Sequence, residues 1–198
     1  MEDFARLKEA IKFDQENLAF TQQGIDPLYI ANEFARICII GQAPGIRAQE
    51  TQIPFNDPSG DRLRLWLGMS CDFFYHSPYL AILPMDFYYP GKGKSGDLPP
   101  RKHFAQKWHP AFFDLMPHLE LIILVGSYAQ AYYLPKDDIK NSTDRIKQFY
   151  KYGPLFFPIV HPSPRNNIWL KKNPWFECEI VPVLREKVAQ IIAYTQKN

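Results

Sequence analysis

Four short apolar runs limit how this chain can fold: Arg36-Ile37-Cys38-Ile39-Ile40, Tyr79 to Leu83, Leu121-Ile122-Ile123-Leu124-Val125, and Leu155-Phe156-Phe157-Pro158-Ile159-Val160. Each has the length of a strand and is apolar at successive positions, the pattern of a strand buried on both faces. The segments between them carry helical spacing. Strands that alternate with helices predict an α/β fold, a three-layer α/β/α sandwich around a central, mostly parallel four-stranded sheet. Two of the runs lead straight into distinctive loops, Gly41-Gln42-Ala43-Pro44-Gly45 and His161-Pro162-Ser163-Pro164-Arg165-Asn166-Asn167. If both strands are parallel members of one sheet, both loops emerge at its carboxyl edge, where open α/β sheets bind ligands.

With 198 residues, 46% of them hydrophobic, the chain can fill one substantial core, so a single domain spanning residues 1–198 is expected. The net charge of +2 permits a local nucleic-acid-binding patch without demanding one. Cys38, Cys71 and Cys178 are odd in number and lack C-x-x-C spacing, which supports neither a disulfide framework nor a zinc or iron-sulfur site. A reducing, cytoplasmic setting without metal or cofactor is the expectation. No segment reaches the roughly 18 consecutive apolar residues of a membrane span, and the charged segment from Met1 to Asp14 lacks the apolar core of a signal peptide. A soluble, unprocessed monomer with no membrane partner is expected.

Phe4, Leu7, Ile11 and Leu18 recur at near-helical spacing and predict an amphipathic helix closed by Gly24 and Pro27, a packing element within residues 1–30. Asp57-Pro58 places a capping residue before a proline at the first helical position, leading into Leu63, Trp66 and Leu67. Pro182 to Thr195 reads as a closing helix with Val183, Leu184, Val188, Ile191 and Ile192 inward. The segment Tyr88 to Pro100, with three glycines, three prolines and two lysines, reads as an exposed loop at the same sheet edge. Within it Gly93-Lys94-Ser95 does not make a phosphate loop. Tyr88 stands where the first glycine would be needed, and Gly96 and Pro99 oppose the helix that must follow. His103 and His109, among Arg101, Lys102 and Lys107, read as a solvated helix face.

The string from Gly41 to Gly45, with Phe55 beyond it, and the later string beginning His161-Pro162-Ser163-Pro164 resemble the two signature motifs of the uracil-DNA glycosylase superfamily. The first half, including Ile53-Pro54-Phe55 and Pro58-Ser59-Gly60, is similar to the iron-sulfur uracil glycosylases; His161 to Asn166 is similar to the single-strand-selective monofunctional uracil glycosylases. The run from Leu121 to Tyr128 resembles the superfamily strand that ends in Gly-Ser before a helix, so the resemblance extends from about Arg36 to the C terminus.

The resemblance implies a monofunctional DNA glycosylase that removes uracil or another deaminated or damaged base from single-stranded or duplex DNA. Such a reaction builds positive charge on the sugar and negative charge on the departing base, and consumes a water. By resemblance, Phe55 stacks on the flipped base, His161 donates a hydrogen bond to it, and backbone amides within the Gly41 to Gly45 loop hold it, with Gly41 and Ala43 at the base and Pro44 and Gly45 against the DNA. Gln42 contributes its amide or its side chain. Pro162, Ser163 and Pro164 shape a stiff loop against the DNA backbone, with Arg165, Asn166 and Asn167 pressing into the gap left by the base.

Three departures alter the carry-over. Ala43 stands where other branches hold an aspartate or asparagine that orients the attacking water, and Asp57 is the nearest conspicuous carboxylate, as catalyst or as helix cap. The base-reading asparagine expected near the end of the second strand is replaced by Ile82-Leu83-Pro84-Met85-Asp86, making Asp86 the candidate base reader, one that favours a base edge offering donors. The four cluster cysteines are missing, so no cluster is expected. The rival reading is a catalytically weak or inactive nucleic-acid-binding or damage-sensing protein, and a third is an enzyme acting on free nucleosides.

Overall fold

The computed structural model describes all residues except Met1, Ser95, Asp137, Lys140 and 196–198. Four strands, β1 (Ile37–Ile40), β2 (Leu80–Ile82), β5 (Leu121–Val125) and β6 (Phe156–Ile159), form a fully parallel sheet in the order β2-β1-β5-β6. A separate antiparallel hairpin, β3 (Lys92–Gly93) and β4 (Gly96–Asp97), stands apart from it. In the main sheet Ile37 lies beside both Leu80 and Leu121, and Ile122 beside Phe156. Pro158 falls on the edge strand β6, where a missing backbone donor is tolerated.

The doubly apolar runs are explained by layers on both faces. Ile37, Ile39, Ile123 and Val125 pack with α4 (Pro58–Leu67), α5 (Cys71–His76), α8 (Ser142–Lys147) and α10 (Val181–Thr195). Cys38, Ile40, Ile122 and Leu124 pack on the other side with α1 (Glu2–Lys12), α6 (Phe104–Asp114) and α7 (Ser127–Tyr133). Successive strand residues point to opposite faces, so burying both faces requires an unbroken apolar run. The result is an α/β/α sandwich.

The predicted N-terminal helix is broken in two. It stops at Lys12 and resumes as α2 (Leu18–Gln22), because the Asn17 side chain is fully buried and donates 2.7 Å to the Ile11 carbonyl, capping the turn between them. Val183 is 42% exposed and does not join the inward face of α10 that Leu184, Val188 and Ile191 occupy. Tyr88 is buried, and its loop contains the β3–β4 hairpin.

His103 is exposed, but the expected solvated position of His109 is corrected: it is buried on α6 between Phe87 and Tyr133. Its Nε2 lies 2.9 Å from the Pro84 carbonyl, which can only accept, so Nε2 carries the proton and Nδ1 accepts from the Tyr133 hydroxyl. Burial holds this imidazole down at about 4, against an ordinary value of 6.5. The unfolded chain therefore binds a proton below pH 6.5 that the folded chain refuses until about pH 4. The stability contribution is complete above 6.5 and lost as pH falls through that window, by about 3 kcal/mol. Urea titrations across this range are expected to show that loss, and His109→Gln is expected to flatten most of it. An equally steep slope in the variant would assign the effect elsewhere.

Candidate active site

The carboxyl edge of the sheet opens into a cleft of about 620 Å³, built by the loops that follow all four parallel strands. Gly41 to Gly45 follow β1, Pro84 follows β2, Gly126 follows β5 and His161 follows β6; all line the cleft. Since β1 connects onward to β2 on one side and pairs with β5 on the other, the cleft sits where the strand order reverses.

Sheet pairing continues into the first motif. The Gly41 and Gln42 carbonyls accept from the amides of Met85 (2.9 Å) and Asp86 (3.3 Å), which pins the loop from one side. The amides of Gln42 and Ala43 have no acceptor among the described residues, so these two donors remain for a ligand. The Gln42 side chain is committed elsewhere: Nε2 donates 2.9 Å to the Leu98 carbonyl beyond the β3–β4 hairpin. Pro44 is buried, and Gly45 occupies the position before α3 (Ile46–Thr51).

Phe55 is half-buried, its ring edge so close to Gly41 that a Cβ there would lie 3.3 Å from Cζ. Its φ of +55° is a left-handed conformation that costs a bulky residue on the order of 1–3 kcal/mol. The surroundings enforce it. The Phe55 carbonyl accepts from Tyr75 Oη (3.2 Å) and Arg64 Nη1 (3.4 Å), and a Cβ on Gly60 would approach its oxygen to 1.7 Å, so only glycine permits this crossing of chains. Asp57, immediately after, caps α4 through Oδ1, which accepts from the Gly60 amide at 2.9 Å, while its side chain also lines the cleft. Capping and site position thus coincide.

His161 packs against Gly126, whose φ of +83° favours glycine and where a Cβ would meet the His161 Cβ at 3.4 Å. Nδ1 accepts from the Ser163 amide at 3.2 Å, so in the neutral ring the proton resides on Nε2. Burial pushes the imidazole below its ordinary value, against the smaller opposing pull of the Asp57 and Asp97 carboxylates. The site therefore holds a neutral imidazole with one hydrogen-bond donor to offer.

The loop after His161 is braced from both ends. Asn166 Nδ2 donates 2.8 Å to the His161 carbonyl, and Ser163 Oγ accepts from the Arg165 amide. Arg62 on α4 donates to the carbonyls of Pro162 (3.2 Å) and Ser163 (3.4 Å) and to Asn167 Oδ1 (2.8 Å). Pro162 is buried, whereas Pro164, Arg165 and Asn167 are exposed. The Arg62 clamp was not legible in the sequence, because a surface-helix arginine carries no signal of a partner 100 residues away. Ile168, opening α9 (Asn167–Lys172), is likewise unannounced; it is 69% exposed beside this loop.

Asp86 is not brought to the cleft. It is 1% exposed and faces the other way, accepting from Arg101 at Nε (2.7 Å), Nη2 (2.8 Å) and the backbone amide (3.1 Å), and from the Tyr88 amide (3.1 Å). A carboxylate with that many donors is a structural anchor, so the expectation that it reads a base is corrected.

Among the described residues, no three His, Cys, Asp or Glu side chains gather into a metal-holding group, and no helix is long and apolar enough to cross a membrane. All three cysteines are free, Cys38 buried and the other two exposed.

Comparison with solved structures gives a solution NMR structure of a proposed uracil DNA glycosylase from Methanosarcina acetivorans, at 16% identity and a TM-score of 0.47, covering 80% of this chain and 94% of that one. Residues 29–185, which include both motif loops and every strand of the sheet, match the family described as the uracil DNA glycosylase superfamily. The chain belongs to the uracil DNA glycosylase superfamily.

Proposed function

We propose that the protein is a monofunctional DNA glycosylase that hydrolyses the bond between a flipped, deaminated or damaged base and its deoxyribose, as a step of base excision. The observation that carries this reading is the meeting, in one cleft, of the free amides of Gln42 and Ala43, the Phe55 ring and a neutral His161 whose Nε2–H is its remaining donor. An aromatic face and a few polar donors are what a flipped base requires. Fixed donors also stabilise the negative charge that develops on a departing base.

The cleft's frame suits DNA. Exposed Arg47, Arg165, Lys171 and Lys172 lie on elements that carry or follow the two motifs, and exposed Ile46 and Ile168 place apolar side chains among them. Basic groups suit phosphates, and apolar wedges suit the gap left when a base is extruded. No lysine lines the cleft among the described residues, so a Schiff base with the sugar has no amine to form it.

Oligonucleotides containing uracil, hypoxanthine or xanthine, single-stranded and duplex, are expected to acquire alkali-labile sites on incubation with the protein for at least one base. Without alkali or an added lyase the strands stay intact. Absence of abasic product from every substrate would refute the glycosylase reading. A second reading, a damage-binding protein without turnover, draws on Ala43, which has no polar group, and on the commitment of the Gln42 side chain to Leu98. It requires tight binding of the modified oligonucleotide with no product.

A further inference from the structure

We propose that Asp97, delivered by the β3–β4 hairpin, is the carboxylate that holds and deprotonates the attacking water and faces the cationic sugar; this rests on the glycosylase reading above. Hydrolysis of an N-glycosidic bond needs an acceptor for a water proton and a negative group near the sugar as it becomes positive. Only two carboxylates line the cleft among the described residues, Asp57 and Asp97. Oδ1 of Asp57 is committed to the Gly60 amide as the cap of α4.

Asp97 has no comparable structural duty. Among the described residues it receives no backbone amide, and the side-chain hydrogen bond it accepts there is a long 3.5 Å one from Tyr89 Oη to Oδ1. Its Oδ2 points at the first motif, 4.0 Å from where a Cβ on Gly45 would stand. It is close enough to His161 for its charge to pull that imidazole upward.

The hairpin is held so that this placement is reproducible. Gln42 Nε2 grips the Leu98 carbonyl (2.9 Å), and the Leu98 amide donates to Gly91 (2.8 Å), closing the hairpin's base against the first motif. At the opposite side, Gly96 lets Arg165 of the second motif approach so closely that a Cβ there would fall 2.1 Å from Nη1. The hairpin thus spans from one motif to the other and carries Asp97 between them. This gives the Gln42 side chain a role that does not require contact with the base.

In the proposed step the C1′–N bond breaks and its electron pair leaves with the base, which His161 Nε2–H steadies. The water oxygen bonds to C1′ and its proton passes to the Asp97 carboxylate. That proton then returns to solvent, and the base anion takes one from solvent, so one water is consumed and a base and an abasic sugar result.

The test uses binding, so that it does not depend on turnover. Duplex and single-stranded oligonucleotides carry either a cationic 1-azasugar or a neutral tetrahydrofuran at the abasic position. The wild type is expected to bind the cationic site at least about tenfold more tightly than the neutral one, as a site complementary to a cationic transition state should. Asp97→Asn is expected to erase that preference while binding the tetrahydrofuran site within about twofold of wild type; Asp72→Asn, which removes an exposed carboxylate on α5, is expected to keep it. A preference unchanged in Asp97→Asn, or absent from the wild type, overturns the assignment. The glycosylase reading fails by a different result, the absence of abasic product from every modified base.

Discussion

Asp86→Ala is expected to lower the unfolding free energy by about 3 kcal/mol, and Arg101→Ala by nearer 5 kcal/mol. The asymmetry follows from burial. The Asp86 side chain is 1% exposed and the Arg101 side chain 28% exposed. Losing the carboxylate leaves a guanidinium that still lies over Phe104 (4.5 Å to the ring centre), Tyr88 and Phe20, and still donates to Glu16 O and Asn17 Oδ1. Losing the guanidinium strands a carboxylate in the interior, with only the Tyr88 and Arg101 backbone amides as partners among the described residues. The double variant Asp86→Ala/Arg101→Ala is expected to cost clearly less than the two singles added, because each single already breaks the same interaction. Urea midpoints with an unchanged slope are the measurement. A loss below about 1 kcal/mol for either single, combined with altered choice of base, would restore Asp86 to the site.

That pair also shows where sequence reading reaches its limit. The strands were legible because burial on both faces leaves apolar runs with no polar alternation, as in Ile37 to Ile40 and Leu121 to Val125. Two strands that each end in an unusual loop, read as parallel, also place Gly41 and His161 at one edge without any knowledge of the sheet order. The cap at Asp57 was legible because it is local, a contact with an amide three residues on. Asp86 was misread because a carboxylate at the end of a strand has the same sequence context whether it faces the cleft or the core, and its partner Arg101 lies 15 residues away beyond a hairpin. His109 was misread for the same reason: its two partners, Pro84 and Tyr133, come from other elements, and charged neighbours in sequence conceal the buried side of the helix. The hairpin escaped because strands of two residues carry no periodicity. Polar groups whose partners are tertiary are thus the least legible class here, and they include Arg62, Asp86 and His109.

His161→Ala is expected to slow single-turnover base release by about 10²–10³-fold, the cost of losing one preorganised donor to a developing anion. The loss should fall on the chemical step and leave DNA affinity nearly unchanged, since the donor acts on charge that appears only as the bond breaks. The pH profile discriminates the form of the imidazole. Burial lowers its affinity for protons, and the Ser163 amide already occupies Nδ1 at 3.2 Å, so protonation there would set two donors against each other. The neutral ring is therefore the working form, and the rate should stay level as pH rises past the ordinary imidazole value of 6.5. A cationic donor would give the opposite sign, with activity fading on the alkaline side as the ring loses its charge. His161→Gln, which keeps an N–H donor of similar reach but cannot take a second proton, is expected to recover part of the rate with no alkaline loss. Activity within about threefold of wild type in His161→Ala, or a rate that falls through a pKa at or above 6.5, would remove the neutral imidazole from the mechanism.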